Sequence, residues 1–357
     1  MQFEPLSKSI WFYNVENSAI GHLSKYLFSF VIILLSLAMS QAQDPIYSQF
    51  YNAPLQLNPA FAGNSTNALV AINYRNQWPN WGPKAYATYS VSYDQFFDLI
   101  NSGFGINVNS DNSGDGIFVT NRISGIYSYR LKFNDDFQAK IGLEASATQN
   151  RLDWNKLIFL DQINPSRFET GGGSLLLTDE IQPDNLNSTN FDFSFGILLY
   201  SPKVYGGLTI KHLNAPSNKL LSDNANVYSG LPIRLSAHAG YTISIKSGNN
   251  GGFGTFLAPS IMLVQQSDFF QINAGALFNK ENFFGGAYLR YTISNIDAVI
   301  VSLGWRTELF KMSYGFDFTI SDASVLNSGG AHELGIVINF GADKKGTDYN
   351  DCFKIFR

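Results

Sequence analysis

Past residue 43 the chain shows no sustained run of apolar residues at helical spacing. Apolar and polar residues alternate instead, in stretches of roughly ten, which is the pattern of strands whose two faces meet different surroundings. The clearest stretch is 233–246. Ile233, Leu235, Ala237, Ala239, Tyr241, Ile243 and Ile245 form one face, and Arg234, Ser236, His238, Gly240, Thr242, Ser244 and Lys246 the other. Phe137, Ala139, Ile141, Leu143, Ala145 and Ala147 alternate in the same way with Gln138, Lys140, Gly142, Glu144, Ser146 and Thr148. Phe191, Phe193, Phe195, Ile197 and Leu199 oppose Asp192, Ser194 and Gly196. Fourteen such segments are predicted, near 69–77, 85–94, 103–109, 117–131, 137–149, 190–201, 203–212, 232–246, 253–265, 269–278, 282–292, 296–306, 310–320 and 331–341.

Strands of about ten residues suit a tilted crossing of a bilayer, whereas soluble strands average about five or six. Trp78, Tyr93, Phe137, Tyr200, Phe283, Trp305 and Phe340 lie near strand ends, where interfacial aromatic girdles belong. The expected fold is therefore all-β, a transmembrane outer-membrane β-barrel of about 14 antiparallel strands. An even count returns both ends of the barrel to the periplasm. The expected outer connections are then 78–84, 110–116, 150–189, 213–231, 266–268, 293–295 and 321–330. The periplasmic ones, near 95–102, 132–136, 202, 247–252, 279–281 and 307–309, are shorter than the three longest outer ones. A soluble β-sandwich is the alternative; it leaves the uniformly long strands unexplained.

The one long apolar run, Tyr26 to Met39, follows Lys25 and is closed by Ser40-Gln41-Ala42. A basic flank, a short apolar stretch and small residues at the cleavage position make a signal peptide, cut after Ala42. A membrane anchor would need about 20 apolar residues, and Gln41, Gln43 and Asp44 end the run too early. Residues 1–24 extend ahead of it. No Met lies between Met1 and Met39, so a start nearer Lys25 would use another codon. The expected organisation is 1–42 extension and signal peptide, 43–68 an N-terminal periplasmic or plug segment, 69–341 the barrel, and 342–357 a C-terminal tail. That tail leaves Phe340 and Phe356 as two candidates for the terminal aromatic of barrel assembly.

Composition sharpens this picture. Charged residues are 15% of the 357-residue chain and aromatics 15%, against a charged share of about 25% in soluble domains. Much of the surface is thus expected to face lipid. A mean hydropathy of -0.05 is too low for several apolar helical spans. A net charge of -4 without a basic run gives no footprint for nucleic acid. The single cysteine, Cys352, excludes an internal disulfide framework and multi-cysteine metal sites.

Candidate chemistry is sparse. Asp111-Asn112-Ser113-Gly114-Asp115-Gly116 resembles the start of a calcium loop, but Arg122 stands where a bidentate Glu is needed, so it reads as a polar connection. Gly171-Gly172-Gly173 has neither a strand before it nor a helix after it, and is no nucleotide loop. His212, His238 and His332 are scattered, and no Ser, His and acid pattern proposes catalysis. Asn64-Ser65-Thr66 and Asn187-Ser188-Thr189 are sequons of the kind that occur by chance. Arg122, Arg130, Arg234, Arg290, Arg306, Glu144, Asp192 and Asp317 fall mostly on polar strand faces. They are expected to pair inside a lumen, since charge facing lipid is costly. Neither an enzyme nor any cofactor or metal is expected.

The segment before the first strand carries a resemblance. Asp44-Pro45-Ile46-Tyr47-Ser48-Gln49-Phe50, then Leu57-Asn58-Pro59-Ala60-Phe61-Ala62-Gly63, then Tyr74-Arg75-Asn76-Gln77-Trp78 resemble the opening of the PorP/SprF family of Bacteroidetes outer-membrane proteins. The resemblance implies a barrel of the type IX secretion and gliding-motility machinery. Such a barrel would anchor or present secreted surface proteins, adhesins among them, that end in type B C-terminal domains. Other periplasmic or outer-membrane components of the machinery would be further partners. Trp78, Trp81, Trp154, Phe159 and Phe168 lie in or beside expected outer connections and are the candidate partner-binding residues. The rival expectation is an outer-membrane channel or transporter for small ligands.

Overall fold

The computed structural model describes residues 44–357 apart from 66, 83–84, 135, 163–177, 184, 217–230, 247–253, 294, 322–324, 342–350, 354 and 357. The signal-peptide expectation and Phe168 therefore lie outside the described residues. Fourteen antiparallel strands form a closed barrel. They are β1 (Ala68–Gln77), β2 (Tyr86–Phe97), β3 (Ser102–Ser113), β4 (Phe118–Lys132), β5 (Gln138–Leu152), β6 (Asn187–Tyr200) and β7 (Val204–Lys211). Then follow β8 (Arg234–Tyr241 and Ile243–Lys246, interrupted at Thr242), β9 (Thr255–Gln266), β10 (Phe269–Lys280), β11 (Phe283–Thr292), β12 (Ile296–Arg306), β13 (Phe310–Thr319) and β14 (Ala331–Phe340). Each strand pairs with its sequence neighbours. The circle closes where β14 meets β1, from Ala68↔Phe340 to Gln77↔Ala331. No described helix is long and apolar enough to cross a membrane.

Closure leaves the wall with almost no strand edge, the condition for polypeptide in lipid. Alternation then sorts the side chains. Val91, Ile106, Ile123, Leu143, Leu208 and Leu303 are exposed on the outside, whereas Arg75, Asn107, Glu144, Arg290 and Asp317 are buried on the inside. On β8 the odd positions Leu235, Tyr241 and Ile243 are exposed, and Arg234, Ser236 and His238 are buried. The β3–β4 hairpin is longer than predicted, pairing to Ser113↔Phe118. Asp111 and Asn112 thus belong to β3 and not to a loop. Alternation stops at Ser110, where all residues become polar, but main-chain pairing needs no apolar face once the strand leaves the lipid.

The apolar core sits within the barrel. Residues 50–61 make three short helical turns, Phe50–Asn52, Pro54–Leu57 and Pro59–Phe61. Pro54 and Pro59 stand at helix starts, where a missing N–H costs nothing. The Asn58 side chain accepts from Ala60 N–H at 2.8 Å. Phe50, Tyr51, Leu55, Leu57, Ala60 and Phe61 pack with inward wall residues Ile126, Leu198, Tyr205, Met262, Tyr288 and Ile300. The tail turns back into the same core through Cys352, Phe353, Ile355 and Phe356. Phe340, by contrast, ends β14 exposed on the outer face.

Candidate functional site

The barrel has two unlike rims. One carries 78–85, 114–117, 153–186, 212–233, 267–268, 293–295 and 320–330; the other carries short turns such as 98–101, 201–203 and 281–282. The segment 44–63 descends the lumen from the long-loop rim to the short-turn rim. Asp44 begins it beside His212 and Gln266, at the long-loop ends of β7 and β9. Ala62 ends it with its carbonyl accepting from Ser128 Oγ at 2.7 Å and Lys140 Nζ at 2.6 Å. Gly63 N–H there donates to Asp94 Oδ2 at 2.7 Å.

A buried ion network holds the upper part. Asp317 on β13 accepts from Arg75 Nη2 at 3.0 Å, Arg290 Nη1 at 2.7 Å and Ser48 Oγ at 2.6 Å. Glu333 on β14 accepts from Ser48 N–H at 2.6 Å and Gln49 N–H at 2.8 Å, and it pairs with Arg75 Nη1. Gln77 Oε1 receives Arg75 Nη2 at 3.2 Å. Buried charges persist only when paired and hydrogen-bonded. Here the wall charges are neutralised by one another, and Asp317 and Glu333 also accept from the segment at Ser48 and Gln49.

A second network surrounds its first residue. His212 Nε2 lies 2.7 Å from Asp44 Oδ2, and its Nδ1 lies 2.7 Å from Asp192 Oδ2. Arg234 Nη1 and Arg122 Nη1 lie 3.5 and 3.9 Å from Asp44. Burial pushes the Asp44 carboxyl up, but the charges of His212 and Arg122 outweigh it and hold the group well below the usual carboxylate range. Lys211 and Arg234 are direct cross-strand partners, a like-charge pairing that disfavours the sheet. Glu144, 3.2 Å from Lys211 Nζ, and Asp44 offset it. A small cavity of about 70 Å³ opens here, lined by Asp44, Gln56, Asn107, Asp111, Arg122 and Lys211 among others.

The walls are shaped for the segment. At Gly142 an added Cβ would strike the Pro59–Ala60 backbone, and at Gly103 it would strike the Ala62 carbonyl. Asn58 Nδ2 donates to Ile197 C=O at 3.0 Å and Leu208 C=O at 3.2 Å. From the short-turn side Phe356 packs on Phe61 at 4.7 Å between ring centres, and Phe353 on Tyr200 at 4.9 Å. Lys311 Nζ donates to Ile355 C=O.

The motif residues Asp44, Ser48, Gln49, Asn58, Ala60, Gly63, Arg75 and Gln77 therefore converge on one unit inside the barrel. Sequence reasoning placed Arg290 and Asp317 on inward faces without their partners, and it missed Glu333, Asp94, Lys140 and Lys211 as wall partners. The available signal was charge at inward strand positions, which says that a partner exists but not which. The rim aromatics form two separate clusters. Trp78, left-handed at φ 59°, lies 4.6 Å from Trp81 and 5.3 Å from Tyr86 between ring centres. Trp154 lies 4.8 Å from Phe159 on another connection. Among the described residues no group of His, Cys, Asp and Glu is arranged to hold a metal ion.

A family model described as type IX secretion system membrane protein PorP/SprF matches residues 39–338. No curated protein matches the chain. Among solved structures, the toluene transporter TbuX of Ralstonia pickettii is 9% identical, with 81% of this chain and 92% of that one covered and a TM-score of 0.46. The CymD monoaromatic hydrocarbon channel is 11% identical, with 83% and 94% covered and a TM-score of 0.41. The outer membrane protein Omp33 of Acinetobacter baumannii is 10% identical, with 77% and 98% covered and a TM-score of 0.39.

Proposed function

The chain belongs to the PorP/SprF family of type IX secretion system membrane proteins, and from that premise we propose that it anchors or presents secreted surface proteins at its long-loop rim. Neither the family nor the barrel is of an enzymatic kind. In this reading residues 1–42 are removed on export, residues 43–68 plug the lumen, and the long-loop rim faces outward from the outer membrane of a Bacteroidetes-like cell. The cargo ends in a type B C-terminal domain, as for surface adhesins. Further components of the machinery are met at the short-turn rim.

One observation carries the reading: the lumen is filled by the protein's own chain, so recognition is left to the rims. Only one rim has connections broad enough to contribute to an interface of roughly 800 Å² per partner. Trp78, Trp81, Trp154 and Phe159, with Phe168, are its proposed anchors. The test is deletion of 165–183. The barrel should still assemble and resist heat in detergent while a co-expressed cargo protein is shed into the medium. Retained cargo together with a newly conducting pore would refute the attachment role. Cysteines at Asn80 and Asn185 should also label from outside intact cells, and one at Lys280 should not.

A second reading, a channel or transporter for small ligands, is favoured by the charged cavity beside Asp44. It requires the segment 44–62 to move. Solute-dependent conductance of the wild-type protein in a planar bilayer would support it.

A further inference from the structure

Among the described residues the wall at the long-loop rim has a stretch of β6 with a ladder on a single side, as Ile243–Lys246 has at the short-turn rim. β6 pairs with β5 along its length, from Arg151↔Asn187 to Gln138↔Tyr200. With β7 it pairs only from Phe195↔Ile210 to Tyr200↔Tyr205. Just above, Leu213 N–H donates to Phe193 C=O at 3.0 Å. The Asn214 side chain then takes the next step. Its Oδ1 accepts from Phe193 N–H at 3.3 Å, and its Nδ2 donates to Phe191 C=O at 2.7 Å. One side-chain amide thus imitates one peptide unit of a neighbouring strand.

Beyond that unit the edge is open. Leu152 N–H donates to Leu186 C=O at 2.9 Å, which sets the phase. Even-numbered residues of this stretch bond toward β5, and Asn187, Thr189 and Phe191 point their peptide groups the other way. Among the described residues no hydrogen bond reaches Phe191 N–H or the N–H and C=O of Thr189 and Asn187. On the inner face of the same stretch, Ser188 Oγ, Asp192 Oδ1 and Ser194 Oγ are buried without a described partner.

The height of this edge is readable from the outward side chains. Phe191, Ala147 and Ile123 are at one level and are apolar. One step higher the level is Thr189, Gln149 and Asn121, and the next is Asn187, Arg151 and Val119. The apolar belt ends between Phe191 and Thr189, so the open peptide groups of Thr189 and Asn187 stand above it in water and not in hydrocarbon, where they would be forbidden.

We propose that residues 187–191 of β6 are a docking edge for an extended polypeptide segment, which adds a strand to the barrel wall through main-chain bonds to Thr189 and Asn187. Repeated donor–acceptor pairs at strand spacing are matched by a peptide backbone above all. Asn214 already demonstrates the fit with its single amide. Inward-facing side chains of the added strand would lie beside Ser188 and Asp192, which favours residues carrying hydrogen-bond donors. The inference rests on the attachment role proposed above and names the way a secreted partner is held.

The test places a photo-crosslinking amino acid at Asn187 in cells that co-express a secreted protein ending in a type B C-terminal domain. Thr189→Pro is compared with Thr189→Val. The Thr189 N–H faces the open side, so proline costs β6 no bond to β5 but blocks an incoming strand. The crosslink to cargo should persist in Thr189→Val and fall at least roughly tenfold in Thr189→Pro, as expected for the loss of one or two main-chain bonds. Equal crosslinking in both variants, or crosslinks only to residues 217–230 of the same chain, would overturn the proposal. Should Thr189→Pro not assemble, hydrogen exchange on the wild-type barrel decides. The Thr189 amide should slow on cargo binding, and an unchanged rate refutes the edge. Cargo kept by Thr189→Pro but shed by cells lacking the barrel would refute the edge and spare the attachment role. Cargo kept without the barrel would refute attachment itself.

Discussion

Replacing Glu333 with alanine tests what seats the lumen segment. The Glu333 carboxylate is 2% exposed and binds Ser48 N–H, Gln49 N–H and Arg75 at once. Bonds to a charged acceptor are worth about 1.5–3 kcal/mol each. Much of that offsets desolvation of the ions, and breaking a buried pair from one side typically costs about 3–5 kcal/mol. Because Glu333 lies on β14, whose ladder is main-chain, the wall should survive and the loss should fall on residues 44–62. Ala53 is 5% exposed and makes a conservative cysteine site once Cys352 is changed to alanine. A bulky maleimide should react with Ala53→Cys slowly in the parent. If seating loses the full amount, labelling should accelerate by two to three and a half decades, roughly 10²- to 4 × 10³-fold at about 1.4 kcal/mol per decade, and bilayer conductance should rise. Glu333→Gln, which keeps an acceptor, should lie between. Unchanged labelling and conductance in Glu333→Ala would refute the claim that this network holds the segment.

Gly142→Val should force the Pro59–Ala60 backbone away from β5, costing about 1–3 kcal/mol as overpacking; an unchanged melting temperature with the segment still buried would contradict the close approach. Phe356→Ala removes a ring packed on Phe61 and Tyr205, at about 3–5 kcal/mol for a buried aromatic. The Cys352 thiol, fully buried in the parent, should then become reactive in detergent while the barrel stays heat-resistant. Ala239→Arg, on the lipid face, should destabilise by about 2–4 kcal/mol if near the midplane, and Asn121→Arg, above the apolar belt, by about 0–1 kcal/mol. Equal losses in a folding assay into vesicles would show that the belt is misplaced.

The strand count, the two faces of each strand and the placement of the longest connections on one rim were all legible in the chain. Period two is a local property, and a bilayer imposes it on every strand separately. The same pattern placed Glu144, Arg290 and Asp317 on inward faces. Tertiary structure alone decided what they meet. Arg75 and Glu333 are 258 positions apart, and Ser48 and Asp317 269. Such pairs become neighbours only because β14 closes on β1. The motif residues of 44–63 were visible as a cluster with a plug as one of two expected places, but their path down the lumen was not, because no periodicity encodes a segment whose shape is set by the surrounding wall. Gly142 and Gly103 read as ordinary strand glycines until that segment lies against them. Phe340 and Phe356 likewise stayed equivalent until the tail folded back, leaving one ring on the outer face and the other in the core. Alternation also marked β6 as a full-length strand, whereas its missing partner above Phe195 is a fact about β7, which ends at Lys211.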